Sequence, residues 1–168
     1  MRTLALALTL VLSLSVSVPA RAAVDETNAN RLNALGLFLG TGSGYDLGGS
    51  ATRLHGIIML TRMLGEEADA LSFDGPCPFS DVAAGKPSAY TGYAFAQGYT
   101  TGVSTTTFRP NGALSFKHYV TFLLRALGYD DGAGDFTFAA SLDKAVEIGM
   151  MTRASADCIL QKLSLIHI

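Results

Sequence analysis

The apolar positions of this chain recur at helical spacing in short runs divided by glycine-rich turns, a pattern that predicts helices rather than strands. Asp25-Glu26-Thr27 offers an acidic start for a helix to about Leu37, with Leu32, Leu35 and Phe38 as its stripe and Gly36 and Gly40 at its end. Gly40-Thr41-Gly42-Ser43-Gly44 reads as a turn, since it lacks the Gly-Lys-Ser/Thr ending and preceding strand of a phosphate loop. Ser50 opens a helix over about 51–64. Leu54, Ile57, Ile58 and Thr61 share one face of it, while Met59, Leu60 and Met63 make it apolar on most sides, as expected of a helix central to its domain. The stretch 66–75 reads as a polar connector. A helix from Ala89 to Ala96 stops at Gly98 and is followed by a β-branched, polar segment and the turn Pro110-Asn111-Gly112. Over 114–127 a second central helix is predicted, with Phe116, Tyr119, Val120, Leu123 and Leu127 as its buried stripe; Leu123→Ala is then expected to cost about 2–5 kcal/mol. Residues 130–134 read as a flexible joint, before a helix from about Ala140 to Gly149 and a last one over about 154–163.

Two of these stretches correspond without a gap at an offset of 63: Tyr45 with Phe108, Thr52 with Ser115, Arg62 with Arg125 and Gly65 with Gly128. The ending Ala94 to Gly98 is matched by Leu32 to Gly36 and by the approach to Gly149. Such spacing predicts about three helix–loop–helix units, the outer two imperfect, and one unit of this size cannot bury its own apolar face. The expected fold is therefore all-α, with about three repeats sharing one core.

Composition narrows the setting. Arg2, an apolar run from Leu4 to Val18 and Ala20-Arg21-Ala22 have the layout of a secretory signal peptide, residues 1–22, with the mature chain beginning near Ala23. Its removal leaves 10 basic against 14 acidic side chains, an acidic balance that argues against nucleic acid as a partner. No transmembrane segment is expected after signal cleavage. Cys77 and Cys158 are free to be a long-range disulfide in a secreted chain or two thiols; two cysteines do not decide it. Residues 163–168, Leu-Ser-Leu-Ile-His-Ile, read like the translation of a transposon end used in sequencing libraries, which implies a native chain that continued differently.

Phe79-Ser80-Asp81-Val82, then Gly92-Tyr93-Ala94, Gly98 and Gly102, then Thr107-Phe108-Arg109-Pro110 and a long helix, together resemble the S-layer homology (SLH) repeat. The resemblance covers most of the mature chain: 23–75 as a partial first repeat, 76–132 as the second and 133–162 as a truncated third. It implies a three-part helical module whose grooves hold a secondary cell wall polysaccharide, often pyruvylated, and so anchor a secreted protein to the bacterial envelope without cofactor or covalent bond. The family's Thr-Arg pair at a helix start is matched by Thr52-Arg53, where hydroxyl, guanidinium and free backbone N–H groups suit a ketal carboxylate. The resemblance thus assigns Arg53 as the anion clamp and Thr52 as its hydrogen-bonding neighbour. Asp81 is expected to orient sugar hydroxyls or the arginine. As a first-turn residue Arg53 is expected to carry little packing, so that Arg53→Ala weakens wall binding and spares the fold.

Departures from the family pattern are plain. The second motif is Ser115-Phe116-Lys117-His118, in which Ser115 and Lys117 are the remaining candidate ligand contacts. His55 and His118 stand where the family has glutamate, and the chain has no tryptophan. Thr152-Arg153 is either a shortened third site or a coincidence. His55 and His118 lack the partners of a metal site, and Asp130-Asp131-Gly132 lacks the alternating carboxylates of a calcium loop. No nucleophile elbow, His-Glu-x-x-His or Cys–His arrangement is present, so a non-catalytic module is expected. The alternative is a module whose degenerate grooves serve protein–protein assembly of a surface layer.

Overall fold

A computed structural model of the chain describes residues 20–40 and 44–165, with side chains placed over 26–40 and 44–159. The expected signal segment lies outside the described residues apart from its last three, and the expected adapter-derived tail is described only through Leu165. Seven helices occur among the described residues: α1 (Ala20–Ala34), α2 (Arg53–Leu64), α3 (Glu67–Ser72), α4 (Lys86–Ala96), α5 (Phe116–Ala126), α6 (Ser141–Glu147) and α7 (Arg153–Leu165). None is long and apolar enough to cross a membrane. The chain divides into two compact units at Gly48/Gly49, inside the segment read as the first repeat. In the first unit α1 ends at Gly36, Phe38 stacks on Tyr45 with ring centroids 5.5 Å apart, and the Tyr45 hydroxyl donates to Asn30 Oδ1 at 2.8 Å.

In the second unit α2 packs against α3, α4 and α5, the central role its apolar surface predicted. α3 is new relative to the sequence reading, which took 66–75 for a connector. Its one apolar anchor, Ala70, is fully buried, and a single small side chain leaves no periodicity to read. Buried apolar side chains form two clusters rather than one core. Ile57, Leu60, Phe79, Tyr93, Phe108 and Phe122 belong to the first; Val120, Leu124, Phe136, Leu142 and Ala145 belong to the second. α5 serves both because positions 120 and 124 lie one turn apart on one face, whereas 122 projects from the opposite side. The predicted α5 stripe is corrected accordingly: Phe116 is 39% and Leu127 59% exposed, at or beyond the helix ends, while Phe122 and Leu124 are buried.

Glycines close the helices in one manner. At Gly36, Gly65, Gly98, Gly128 and Gly149 φ lies between 71° and 90°, and each glycine N–H bonds to the carbonyl three residues back. The next N–H in each case reaches the carbonyl five residues back, as in Tyr99 N to Ala94 O (2.8 Å) and Met150 N to Ala145 O (2.9 Å). The segment 130–135, read as a flexible joint, is a turn closed by its own bonds: Asp135 Oδ2 accepts from Asp130 N and Asp130 Oδ1 from Gly132 N. Both cysteines are free thiols, Cys77 Sγ lying 3.3 Å from Thr91 Oγ1.

The α2–α3 corner is tied to α4 and to the segment after it by two tyrosines. Tyr90 donates to Glu67 Oε1 at 2.6 Å, and Tyr99 donates to both carboxylate oxygens of Glu66 at 2.9 and 3.0 Å. Burial, and then the bonded carboxylates, push both phenols up to about 12. A folded-state value above the ordinary one near 10 means that this contribution is complete below pH ~10 and is lost as pH rises through about 12. Urea midpoints should therefore hold level up to pH ~10 and then fall. In the Tyr90→Phe/Tyr99→Phe variant the alkaline fall should be visibly shallower; an unchanged slope would show that these phenols are not coupled to folding.

Candidate functional site

The candidate site lies where the N-termini of α2 and α5 meet the loop 106–112. Thr52 and Ser115 cap the two helices: Thr52 Oγ1 accepts from His55 N and Ser115 Oγ from His118 N, both at 3.2 Å. At α2 the box is reciprocal, for Thr52 N donates to His55 Nδ1 at 3.4 Å. His55 thus takes the structural role that a glutamate has in a capping box. Thr152 caps α7 the same way, accepting from Ser155 N at 3.2 Å. The hydroxyl expected to contact a ligand at Thr52 is therefore engaged by its own helix.

The free backbone N–H groups expected at the start of α2 are also engaged. Arg53 N donates to Gly112 O (2.9 Å) and Leu54 N to Pro110 O (3.1 Å), because the Pro110–Gly112 turn seats its carbonyls on that helix end. At α5, by contrast, Phe116 N and Lys117 N have no acceptor among the described residues. Lys117 itself turns away: its Nζ donates to Ala139 O at 3.1 Å and joins α5 to the approach to α6.

Arg53 departs most from expectation. It is only 3% exposed, so most of the side chain is packed against the protein. Its guanidinium carbon sits 4.8 Å from the ring centre of Phe108 and 5.4 Å from that of Phe122, and Nε donates to Phe108 O at 2.8 Å. No carboxylate pairs with it among the described residues. Among the described residues its terminal nitrogens have no acceptor and no fully buried side-chain nitrogen or oxygen lacks a partner, so these tips are not fully enclosed. Burial first, then the positive charges of Arg125 and Arg109, lower its pKa, opposed by Asp81.

Asp81 is engaged with the loop backbone rather than hydrogen-bonded to Arg53. Its Oδ1 accepts from Phe108 N (2.9 Å) and its Oδ2 from Arg109 N (2.7 Å). Partial burial opposes ionisation, but these two bonds and the nearby Arg109 outweigh it and lower the carboxyl pKa. The grip matters because Arg109 has φ 59°, a left-handed conformation that is costly for a residue with a Cβ, here one that also precedes proline. Asp81 holds that strained turn, and the turn presents the Phe108 carbonyl to Arg53. The only other non-glycine residue with positive φ among the described residues is Asp46 (47°), 63 positions earlier, at the place corresponding to Arg109.

Arg62 and Arg125 each pair with a carboxylate just past their helix: Arg62 Nε with Glu67 (2.8 Å) and Arg125 with Asp131 (2.7 and 2.8 Å). Arg125 also donates to Thr101 Oγ1 at 3.2 Å. Arg153 pairs with Asp143 rather than standing free. The site is thus a cationic cluster of Arg53, Arg109 and Arg125 with His118 beside it and only Asp81 and Asp131 to balance it. Of the residues expected to form the site, Thr52, Arg53, Asp81 and Ser115 are gathered here and Lys117 is not.

Sequence reasoning passed over Arg109, exposed and without an ion pair among the described residues, and named His118 only as a departure from the family pattern without the partners of a metal site. The signal for Arg109 lay in Phe108-Arg109-Pro110 itself, but its unusual backbone does not show in a letter code. Two clefts, of about 290 Å³ beside Arg62, Glu67 and Tyr90 and about 480 Å³ beside Cys77, Lys86 and Ser88, include none of the cationic cluster. The cluster is the stronger candidate because it concentrates unmatched charge, whereas Arg62 and Glu67 in the smaller cleft satisfy one another. Comparison with protein-family models, with curated proteins and with solved structures finds no match.

Proposed function

We propose that this chain is a secreted, non-catalytic anchoring module built from about three SLH-like repeats, and that it binds an anionic secondary cell wall polysaccharide at the Arg53–Arg109–His118 cluster. The observation that carries this reading is Arg53: a nearly buried guanidinium with no carboxylate partner, amid further positive charge. A buried charge without a counter-ion is expensive, and a ligand carboxylate at its exposed tips would supply one. The repeat reading is supported by the equal offset of the Thr52–His55 and Ser115–His118 caps, of the positive-φ residues Asp46 and Arg109, and by the shared glycine endings. Partnering with other surface-layer proteins is a second reading, favoured by the exposed Phe116, Leu127 and Phe138 side chains.

The test is co-sedimentation with purified cell-wall sacculi, intact or stripped of secondary polymer by acid. Retention on intact walls alone is expected. Arg109→Asn, which removes a charge while keeping a residue tolerant of left-handed backbone, should abolish most of that retention without unfolding the protein. Equal pelleting with stripped walls would favour protein partners, and no pelleting with either would end the wall-binding reading.

A further inference from the structure

The equivalent histidines His55 and His118 are not chemically equivalent. At α2, His55 Nδ1 accepts from the Thr52 backbone N–H, a group that can only donate. At α5, His118 Nδ1 lies 2.7 Å from Ser115 Oγ, a hydroxyl that can either donate or accept. With neutral imidazole the hydroxyl donates to Nδ1 and accepts from His118 N. With imidazolium, Nδ1–H donates and the same oxygen accepts both. The α5 cap therefore survives protonation of His118.

His118 is also placed to matter. It lies one turn before Phe122 on α5, and Phe122 carries the Arg53 guanidinium on its ring. On its other side it meets the Phe138 ring, 5.0 Å between centroids. The charged groups around it can be named element by element. α2 contributes Arg53 and the loop 106–112 contributes Arg109, held by Asp81; on α5 itself Lys117 is bonded to Ala139 O and Arg125 to Asp131. α6 brings Asp143, Lys144 and Glu147, already paired with Arg153 or with each other. Among the described residues no carboxylate acts on His118 to stabilise an imidazolium. Burial, and then Arg53, lower the His118 pKa from its ordinary value.

We propose that His118 is the proton-linked anion contact of this cationic cluster: a carboxylate bound at Arg53 is the missing counter-ion for the imidazolium, so ligand binding takes up a proton at His118. This rests on the anion-binding reading above. It assigns the cluster a ligand carboxylate held more tightly in mildly acidic surroundings. By linkage, the free protein with its depressed His118 loses stability as pH falls below about 6.5, and bound ligand removes that loss.

The experiment uses a methyl glycoside bearing a pyruvate ketal, whose carboxylate stays ionised throughout the range examined. The His118 ring is followed by NMR with and without this probe, and the probe's affinity is measured at pH ~7.5 and ~5.5. The His118 midpoint should rise when the probe binds, and affinity should increase roughly three- to tenfold on acidification, as for one added charge near a surface anion. His118→Gln retains a side chain able to bond Ser115 and should bind the probe with no pH dependence. Binding with an unmoved His118 midpoint, or with equal affinity at both pH values, overturns the role of His118 and leaves the anchoring site standing. No binding at either pH removes both.

Discussion

Arg53→Ala should lower the stability of this protein by about 2–4 kcal/mol, the reverse of what its place in a first helical turn suggests. Three losses combine. The side chain fills the space between Phe108 and Phe122, and its removal leaves a cavity between two cluster residues. The charge-assisted bond from Nε to Phe108 O disappears, leaving the carbonyl of a fully buried residue unmatched. The contact of guanidinium with two aromatic faces is lost as well, each worth roughly 0.5–1 kcal/mol or more when desolvated. Against these stands relief from the nearby positive charges of Arg125 and Arg109. Arg125 is already neutralised by Asp131 and Arg109 is exposed, so this relief is the smaller effect. Urea unfolding of Arg53→Ala and Arg53→Lys decides the matter. Lysine keeps the charge and part of the stem and should lose roughly half as much; a loss below ~0.5 kcal/mol for alanine would return Arg53 to the surface. Wall retention of Arg53→Ala consequently cannot separate binding from folding, which is why Arg109→Asn is the better probe.

Leu124→Ala is expected to cost about 2–5 kcal/mol, while Leu127→Ala should stay within about 0.5 kcal/mol. Leu124 is fully buried in the second cluster, with Phe136, Leu142 and Ala145. Leu127 is 59% exposed at the end of α5. Both are leucines in the same amphipathic pattern, three residues apart, so the comparison isolates burial from residue type. Because α5 is shared by both clusters, loss of Leu124 should lower a single cooperative transition. A separate early transition, with the first cluster intact, would show instead that the clusters fold independently. Leu123, taken from the sequence as fully buried, is only partly so, and its truncation should fall between these two.

Much of the helical plan was legible because it is carried by signals local in sequence. Thr52, Ser115 and Thr152 mark helix starts through a hydroxyl that reaches three residues along the chain. Gly65, Gly98 and Gly128 mark helix ends because only glycine enters left-handed backbone at no steric cost. The candidate site was legible as residue types and not as roles. Arg53 and Asp81 were singled out from motifs, yet one is a packed cation and the other a backbone clamp.

The sequence by itself determined the helical class, most helix boundaries, the correspondence at an offset of 63 and the residues that gather at the two helix starts. Local geometry suffices for these, since caps, glycine endings and apolar spacing act over one or two turns. Only the tertiary structure decided that Arg53 is enclosed by rings from residues 108 and 122, that Asp81 spends both oxygens on the strained turn at Arg109, and that Arg125 is neutralised by Asp131. It also decided that α5 faces two clusters and that α3 exists at all. The energy of a charge depends on what desolvates it and which opposite charge lies within a few ångströms. For Arg53 and Asp81 those partners come from about 27 to 69 positions away along the chain, a distance no local pattern spans.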